Sequence, residues 1–454
     1  MLRDIDPTMT VLEYLRGPER LCGTKEGCAE GDCGACSVVL VDQQGCCQAV
    51  NACILFVTSL DGKQLLTVEH LTASDGTLHP VQQAMVDHHG SQCGFCTPGF
   101  VMSLFALQTE AKPDRAAINE ALAGNLCRCT GYRPIVDAAL EVCTGHHTPP
   151  TVTLPVPQGT LALTHGDKRS FSPRCGDELA HILLDHPQAV IVAGGTDVGL
   201  WVTKQHRALP LTVALDAAAD LREVIETADT IQIGAAATYG DALPALEKHF
   251  PDFGAMIRRI GSRQIRNRGT IGGNIANASP IGDTPPALLA LDASLVLRVG
   301  DSRRTVKLND FFPGYRRTIL APSEFIERID VPIPRPGELF RCYKVSKRFD
   351  QDISAVCAAF RLTLEAGIVR DIRIGFGGMS ATPARATPVE EALIGCPWTA
   401  STIQAAQSAM DNAFSPLSDM RASAAYRRTV ARNLLLKCFV ETSEEAAVTR
   451  LAPA

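Results

Sequence analysis

The chain has 454 residues, 46% of them hydrophobic and 20% charged, with 17 cysteines and a formal net charge of -6. Such a length predicts about three domains, and the acidic balance offers no general attraction to phosphate backbones or anionic lipid, which argues against nucleic acid and membrane partners. The first ten residues hold two aspartates and no apolar core of a secretory signal, and no apolar run approaches a bilayer span; a cytoplasmic location is expected, where clustered cysteines point to metal ligation rather than disulfides.

Twelve cysteines fall at or before Cys143 and five after it, so a cysteine-dense head precedes an ordinary body. In the head, residues 1–70 carry short apolar runs, SVVLV and QLLTV, around a glycine-rich loop, which predicts a small sheet, with TVLEYLR as a helix. Over 71–147 the pattern turns helical. Pro80 opens VQQAMVDHH, Pro98 opens GFVMSLFALQ, Asp114 caps RAAINEALAG and Pro134 opens IVDAALEV, which predicts a compact bundle of four short helices. The stretch 144–168, rich in Pro, Thr and Gly without helical periodicity, reads as a linker, with 148–168 as the joining segment. From 169 to 335 a helix, an apolar strand and a glycine turn introduce a mixed α/β domain. From 336 to 454 the strand candidates FRCYKVS, AVCAAFRLTL and VRDIRIGFGG precede helical segments, which predicts an α+β domain and makes the whole chain multidomain α+β.

Cys28, Cys33 and Cys36 follow the spacing C-x4-C-x2-C, which with one later cysteine is the plant-type arrangement for a 2Fe-2S cluster. Cys53 is the natural fourth ligand and Cys47 its competitor, while Cys22, Cys46 and Cys47 otherwise read as packed or surface thiols. Gly27, Gly31 and Gly34 are expected at positive φ, so that the loop can wrap a cluster with its N–H groups aimed at sulfur. The alternative is a zinc site, which usually takes paired knuckles instead.

A second group comprises Cys93, Cys96, Cys127 and Cys129, from CGFC and CRC. Alone, CGFC would suit a thioredoxin-like pair, but two short pairs, each just ahead of a predicted helix, can converge on one four-sulfur site. Helices starting near Pro98 and Pro134 would then favour a reduced, more negative centre, with a structural zinc as the alternative. The sequence-adjacent pairs His88, His89 and His146, His147 read as solvated surface, and Cys143, Cys175, Cys342, Cys357, Cys396 and Cys438 as isolated core residues.

Two glycine turns stand in the body: Gly194, Gly195 and Thr196 after an apolar strand, and Gly272, Gly273 and Asn274. Both can bring backbone N–H groups close to a pyrophosphate, but neither is a G-x-G-x-x-G, so a Rossmann dinucleotide fold is not expected.

Taken in order, GTKEGCAEGDCGACSV, HPVQQAMVDHHGSQCGFCTPGF, GNLCRCTGYRPI, VAGGTDVGLWVTK, TIGGNIANASPIGD, FFPGYR and KRFDQDISAV resemble the molybdenum hydroxylase family, within it the iron-sulfur and flavin subunits of bacterial two-subunit xanthine dehydrogenases. The resemblance covers nearly the whole chain. It implies a β-grasp ferredoxin domain, a four-helix 2Fe-2S domain, a vanillyl-alcohol-oxidase-like FAD domain and a C-terminal α+β flavoprotein domain. It implies FAD contacts at Ile191, Val192, Ala193, Gly194, Gly195, Thr196, Asp197 and Val198, at Thr270, Ile271, Gly272, Gly273 and Asn274, and at Asp283, Ile326 and Lys344. Ile260 stands where some relatives place a phenylalanine beside the flavin, so aromatic stacking is absent there. Relatives also carry a strand hairpin ahead of DPTMTVLEYLR; a start upstream, or greater reliance on a partner, is the expectation.

The resemblance further implies a division of labour. Xanthine or hypoxanthine is oxidised at molybdopterin on a separate large subunit, in a heterotetramer of two small and two large subunits. Electrons pass through the Cys93 group, then the Cys28 group, to FAD and NAD+. Cys129 and Gln92 are expected at the contact with the pterin subunit. This chain contributes no general base or nucleophile, and Lys344, Asp350 and Asp352 are candidates for tuning the flavin by local charge. Aldehyde, quinoline or carbon monoxide dehydrogenase subunits, or a free iron-sulfur flavoprotein carrier, are the alternatives.

Overall fold

The computed structural model describes residues 4–110, 112–144, 159–443 and 449; His146, His147 and most of the expected linker lie outside the described residues. The chain packs as two units, one of residues 1–220, 238–240 and 261–270, the other of 221–237, 241–260 and 271–454. Among the described residues no helix is long and apolar enough to cross a membrane.

The first unit begins with helix Val11–Arg16, whose Thr10 accepts the Glu13 N–H while Glu13 reaches back to the Thr10 N–H, a complete capping box. Strand Ser37–Val41 pairs antiparallel with Cys47–Asn51 on one side and Gln64–Leu66 on the other. Its continuous apolar run reflects burial on both faces: Val38 and Leu40 pack with Val11, Leu12 and Leu15, while Val39 and Val41 meet Met102, Phe105 and Ala106 of helix Thr97–Gln108. That helix turns Phe100, Leu104 and Leu107 into a second core with helices Pro80–Asp87, Arg115–Leu122 and Arg133–Val142. It is apolar all round because it is covered all round. Asp114 caps the Arg115 helix by accepting the Ala117 N–H at 2.8 Å, as its position in the sequence predicts. The unit closes with a sheet in the order Leu161–His165, Lys168–Ser172, Leu211–Ala214, Val190–Val192, its last three strands parallel.

The second unit contains a five-stranded antiparallel sheet in the order Ser302–Lys307, Ser294–Val299, Phe325–Pro332, Thr230–Gly234, Val224–Glu226. It also contains a four-stranded antiparallel sheet in the order Glu338–Val345, Val356–Glu365, Ile368–Gly377, Ala384–Arg385. Val356, Ala358, Phe360 and Leu362, at period two, pack with Ile372, Ile374 and Phe376 against residues of helices Thr387–Leu393, Ala400–Ala406 and Ala424–Thr442. Cutting Phe360 to alanine would cost about 3–5 kcal/mol.

Candidate cofactor sites

The loop from Gly27 to Cys36 folds onto its own sulfurs. The N–H groups of Asp32 and Cys33 each point at Cys28 Sγ from 3.3 Å and that of Glu30 from 3.5 Å, while the Cys28 N–H points at Cys33 Sγ from 3.3 Å. Gly31 and Gly34 take φ of +84° and +69°. Gly27 does not; its need is space, since a Cβ there would lie 2.7 Å from Cys33 Sγ, and Ala29 supplies a further positive φ of 55°.

Cys53, buried just beyond strand Cys47–Asn51, has its thiol against those of Cys28 and Cys36, and Cys28 also meets Cys33. The structure therefore gathers Cys28, Cys33, Cys36 and Cys53. Cys47 lies opposite Val41 in the strand pair with its thiol beside Thr109, away from the group, and Cys22 and Cys46 are exposed.

Contact with the Cys33 and Cys53 thiols, reinforced by loop N–H groups, holds the Cys28 thiol far below its ordinary value. The same contacts push Cys53 and Cys33 up. Four acidic sulfurs this close cannot all ionise by themselves, and a cationic di-iron core would let them; the donor set and its converging N–H groups fit such a core. Among the described residues no group of three or more His, Cys, Asp or Glu side chains is placed to hold one metal ion on its own.

The second group is more open. Cys93 and Cys129 are exposed and in contact with each other, and Cys96 meets the buried Cys127. Burial and the Cys127 thiol push Cys96 up to about 12. Burial also opposes ionisation of Cys127, but the Thr130 hydroxyl at 3.2 Å and the Thr130 N–H at 3.5 Å outweigh it and hold that thiol low. Cys96 is the N-cap of helix Thr97–Gln108, and helix Arg133–Val142 starts four residues after Cys129, so both pairs stand ahead of helix N-termini. The two groups are joined by a main-chain bond, Leu126 N–H to the Cys33 carbonyl, at 3.0 Å.

The residues expected at a flavin fall in both units. In the first, Ile191 and Val192 end strand Val190–Val192, and residues 193–197 turn into helix Val198–Thr203 with Gly195 at φ +76°. A Cβ on Gly194 would lie 1.8 Å from the Arg268 carbonyl oxygen, so the turn sits directly on the segment that leads to Thr270. Thr270 itself bridges to Thr238. Arg268 is anchored from behind: its guanidinium is 2.6 Å from Asp216, which also takes Lys63 at 3.0 Å and the Ser59 hydroxyl at 3.0 Å. Burial works to raise the Asp216 carboxyl, but the Arg268 and Lys63 charges prevail and hold it well below the usual carboxylate range.

In the second unit, Ile271, Gly272, Gly273 and Asn274 form most of helix Ile271–Ala276, where a Cβ on Gly272 would lie 2.4 Å from the Ala235 carbonyl oxygen. Asp283 and Lys344 are brought together, 2.5 Å apart and buried, with the Ser354 hydroxyl 2.5 Å from the other carboxylate oxygen. Ile326 is buried opposite Leu297, and Ile260 is half-buried. Asp352 accepts the Arg348 N–H of its own loop at 2.8 Å and Asp350 is exposed. Gly272 and Gly273, expected in a turn, lie in helix Ile271–Ala276; in the first unit the turn at Gly194–Gly195 has bare backbone suited to a phosphate, and in the second the buried acid–lysine pair is suited to hydroxyls.

Some residues at these sites carry no signal in the sequence. Asp216, Lys63 and Arg268 stand far apart in the chain, as do Ser37, Ser103, Asn125 and Gln264, and only the fold brings them together. Cys342 and Cys357, expected as isolated, have their thiols in contact on neighbouring strands, and Cys175 and Cys396 are half-buried rather than core. His88 pairs with Glu141 at 2.6 Å on the surface.

Three family models match: a 2Fe-2S binding domain over residues 67–140, the FAD binding domain in molybdopterin dehydrogenase over 166–334, and the CO dehydrogenase flavoprotein C-terminal domain over 341–442. Similar proteins include xanthine dehydrogenase of Emericella nidulans, 32% identical over 91% of this chain and 36% of the relative, and xanthine dehydrogenase/oxidase of Mus musculus, 31% identical over 88% and 35%. The chain thus spans little more than a third of the length of these relatives. Among solved structures, a carbon monoxide dehydrogenase from Hydrogenophaga pseudoflava is 29% identical with a TM-score of 0.55, covering 59% of this chain and 94% of its own. Quinoline 2-oxidoreductase from Pseudomonas putida 86 is 25% identical with a TM-score of 0.55, covering 61% and 96%.

Proposed function

The chain belongs to the molybdenum hydroxylase family as its 2Fe-2S and FAD part, and from that premise we propose that it is the electron-transfer subunit of a xanthine dehydrogenase, working beside a molybdopterin-bearing large subunit. When bound, the two clusters and the flavin supply the electron steps that link xanthine, NAD+ and water to urate and NADH, or hypoxanthine to xanthine. The protein's own residues hold and aim these groups. Cys28, Cys33, Cys36 and Cys53 take one cluster, and Cys93, Cys96, Cys127 and Cys129 the other. Helix Thr97–Gln108, starting directly behind Cys96, presents its positive end to the second group and favours added negative charge there.

Ile191 through Val198 and Thr270 through Asn274 cradle the FAD pyrophosphate on bare backbone, Asp283 takes its hydroxyls, and Ile260 and Ile326 supply apolar cover. The Lys344 charge beside Asp283 favours an electron-rich flavin. In fold terms we assign residues 1–70 to a β-grasp ferredoxin domain and 71–147 to a four-helix 2Fe-2S domain; of the expected linker 148–168, Leu161–His165 is instead a strand paired with Lys168–Ser172 and goes with the sheet that follows. Residues 169–335 are assigned to a vanillyl-alcohol-oxidase-like FAD domain, and 336–454 to the C-terminal flavoprotein domain.

The observation that carries this reading is that one thiol quartet, with Cys93 and Cys129 exposed, meets a more buried quartet through the Leu126–Cys33 main-chain hydrogen bond, an arrangement suited to receiving electrons at a surface and passing them inward. Phe95 and Leu126, 47% and 52% exposed, flank the exposed cysteines with Gln92 and offer the large subunit an apolar seat in a cytoplasmic heterotetramer. Co-purification with the molybdopterin subunit should give xanthine-dependent NADH formation. Activity with an aldehyde, quinoline or carbon monoxide instead would move the chain to a sibling enzyme, and reduction of diffusible acceptors without any molybdenum partner would make it a free carrier.

A further inference from the structure

We infer that Gln264 is a positioning residue that acts through Asn125 to keep the Ala35 N–H on the Cys33 sulfur, and so sets the reduction potential at the Cys28 group; this rests on the cluster reading above. Gln264 lies on the four-residue helix Arg263–Arg266, outside both cysteine regions, and its side chain is 1% exposed. Its Nε2 donates to Asn125 Oδ1 at 2.9 Å and to Ser103 Oγ at 3.1 Å, and reaches Ser37 Oγ at 3.5 Å.

Asn125 is the residue that spans the two cysteine loops. It stands two positions before Cys127, and its Nδ2 donates to the Gly34 carbonyl at 3.0 Å and to Ser37 Oγ at 3.3 Å. An asparagine amide can be turned end for end at little cost unless its neighbours forbid it. Here they do: Oδ1 receives Gln264 Nε2 and also the Ser103 hydroxyl at 2.7 Å, so the amide must present its N–H side to Gly34. The Gly34 carbonyl and the Ala35 N–H belong to one planar peptide, and that N–H faces Cys33 Sγ. Fixing the oxygen therefore fixes the donor on the sulfur.

Close approach makes the relay specific. A Cβ on Gly34 would lie 2.2 Å from the Gly124 carbonyl oxygen, and one on Gly124 2.1 Å from Gln264 Oε1. Gln264 Oε1 is itself buried without a hydrogen-bond partner. Such an acceptor is unfavourable, and an apolar side chain of similar size would avoid it, so packing alone does not account for an amide at this position. A hydrogen bond to a ligand sulfur stabilises the more negative, reduced cluster, so a residue behind the loop that holds the bond in place raises the potential.

The test is a redox titration followed by electron paramagnetic resonance on the chain purified with its partner subunit. In Gln264→Glu an acceptor replaces the donor and drives the Asn125 amide to turn; Asn125→Asp puts an acceptor directly against Gly34. Both should keep full iron content and both cluster signals while shifting the midpoint of one cluster to more negative values and leaving the other unmoved. Gln264→Met, close in volume, should shift the same cluster by less, because the Ser103 hydroxyl still holds Asn125, and it serves if the acidic variants fail to fold. Unchanged potentials with both signals present, or equal shifts of both clusters, would overturn the relay. Absence of iron signals from the unmodified protein would instead overturn the cluster reading on which it rests.

Discussion

Leu126 donates its backbone N–H to the carbonyl of Cys33 at 3.0 Å, one residue ahead of Cys127. A ligand candidate of one quartet and the immediate neighbour of a ligand candidate of the other are thus linked by covalent bonds interrupted once, by a hydrogen bond. The side chain of Leu126 plays no part in the bond and is half exposed.

Leu126→Pro removes that N–H, whereas Leu126→Ala keeps it and should alter stability by only about 0.5 kcal/mol. With both clusters loaded, transfer between them should slow severalfold in the proline variant alone, read by rapid reduction at the exposed cluster and the appearance of reduced flavin. Equal rates in the two variants would remove the hydrogen bond from the route.

Asp216 sits between Arg268 and Lys63 with its carboxyl held below its ordinary value of 3.8. Because the folded value is the lower one, the stability it contributes is fully present above the ordinary carboxylate range and is lost as pH falls through the folded value. Asp216→Asn should destabilise the protein by about 3–5 kcal/mol at neutral pH by removing the buried carboxylate charge that Arg268 and Lys63 share, and should flatten the loss of stability below about pH 4. Denaturant unfolding of both proteins across that range checks the sign.

Gly194→Ala would press a Cβ against the Arg268 carbonyl oxygen, a backbone atom that cannot swing aside. A cost of about 3 kcal/mol and loss of bound flavin are expected. Gly314→Ala, where nothing lies within 4 Å of the added carbon, should retain both, and flavin absorbance per chain distinguishes them.

Lys344 and Asp283 form a buried pair, so removing one charge strands the other. Lys344→Met should cost about 3–5 kcal/mol, and Lys344→Met with Asp283→Leu should recover much of it. Thermal unfolding of the single and double variants decides this, and a double variant no more stable than Lys344→Met would deny the coupling.

The sequence makes local chemistry legible and long-range chemistry opaque. The helices opened by Pro80, Pro98 and Pro134 and capped by Asp114 are found where prolines and a capping carboxylate place them, because those signals act within one turn. Strand Cys47–Asn51 was hidden: CQAVN is short, mixed in polarity and fixed mainly by pairing with Ser37–Val41. Spacing left Cys47 competing with Cys53, and only the fold, by setting Cys47 in that strand, separates them. Gln264 could not have been found at all, since its partners Ser103 and Asn125 are 161 and 139 residues away.

The whole account depends on each thiol quartet holding two irons. Iron, acid-labile sulfide and zinc should be measured per chain on anaerobically purified protein, with paramagnetic resonance after reduction. Two irons and two sulfides for each quartet, with two distinct reduced-cluster signals, are predicted; a colourless protein carrying zinc and no sulfide would contradict it.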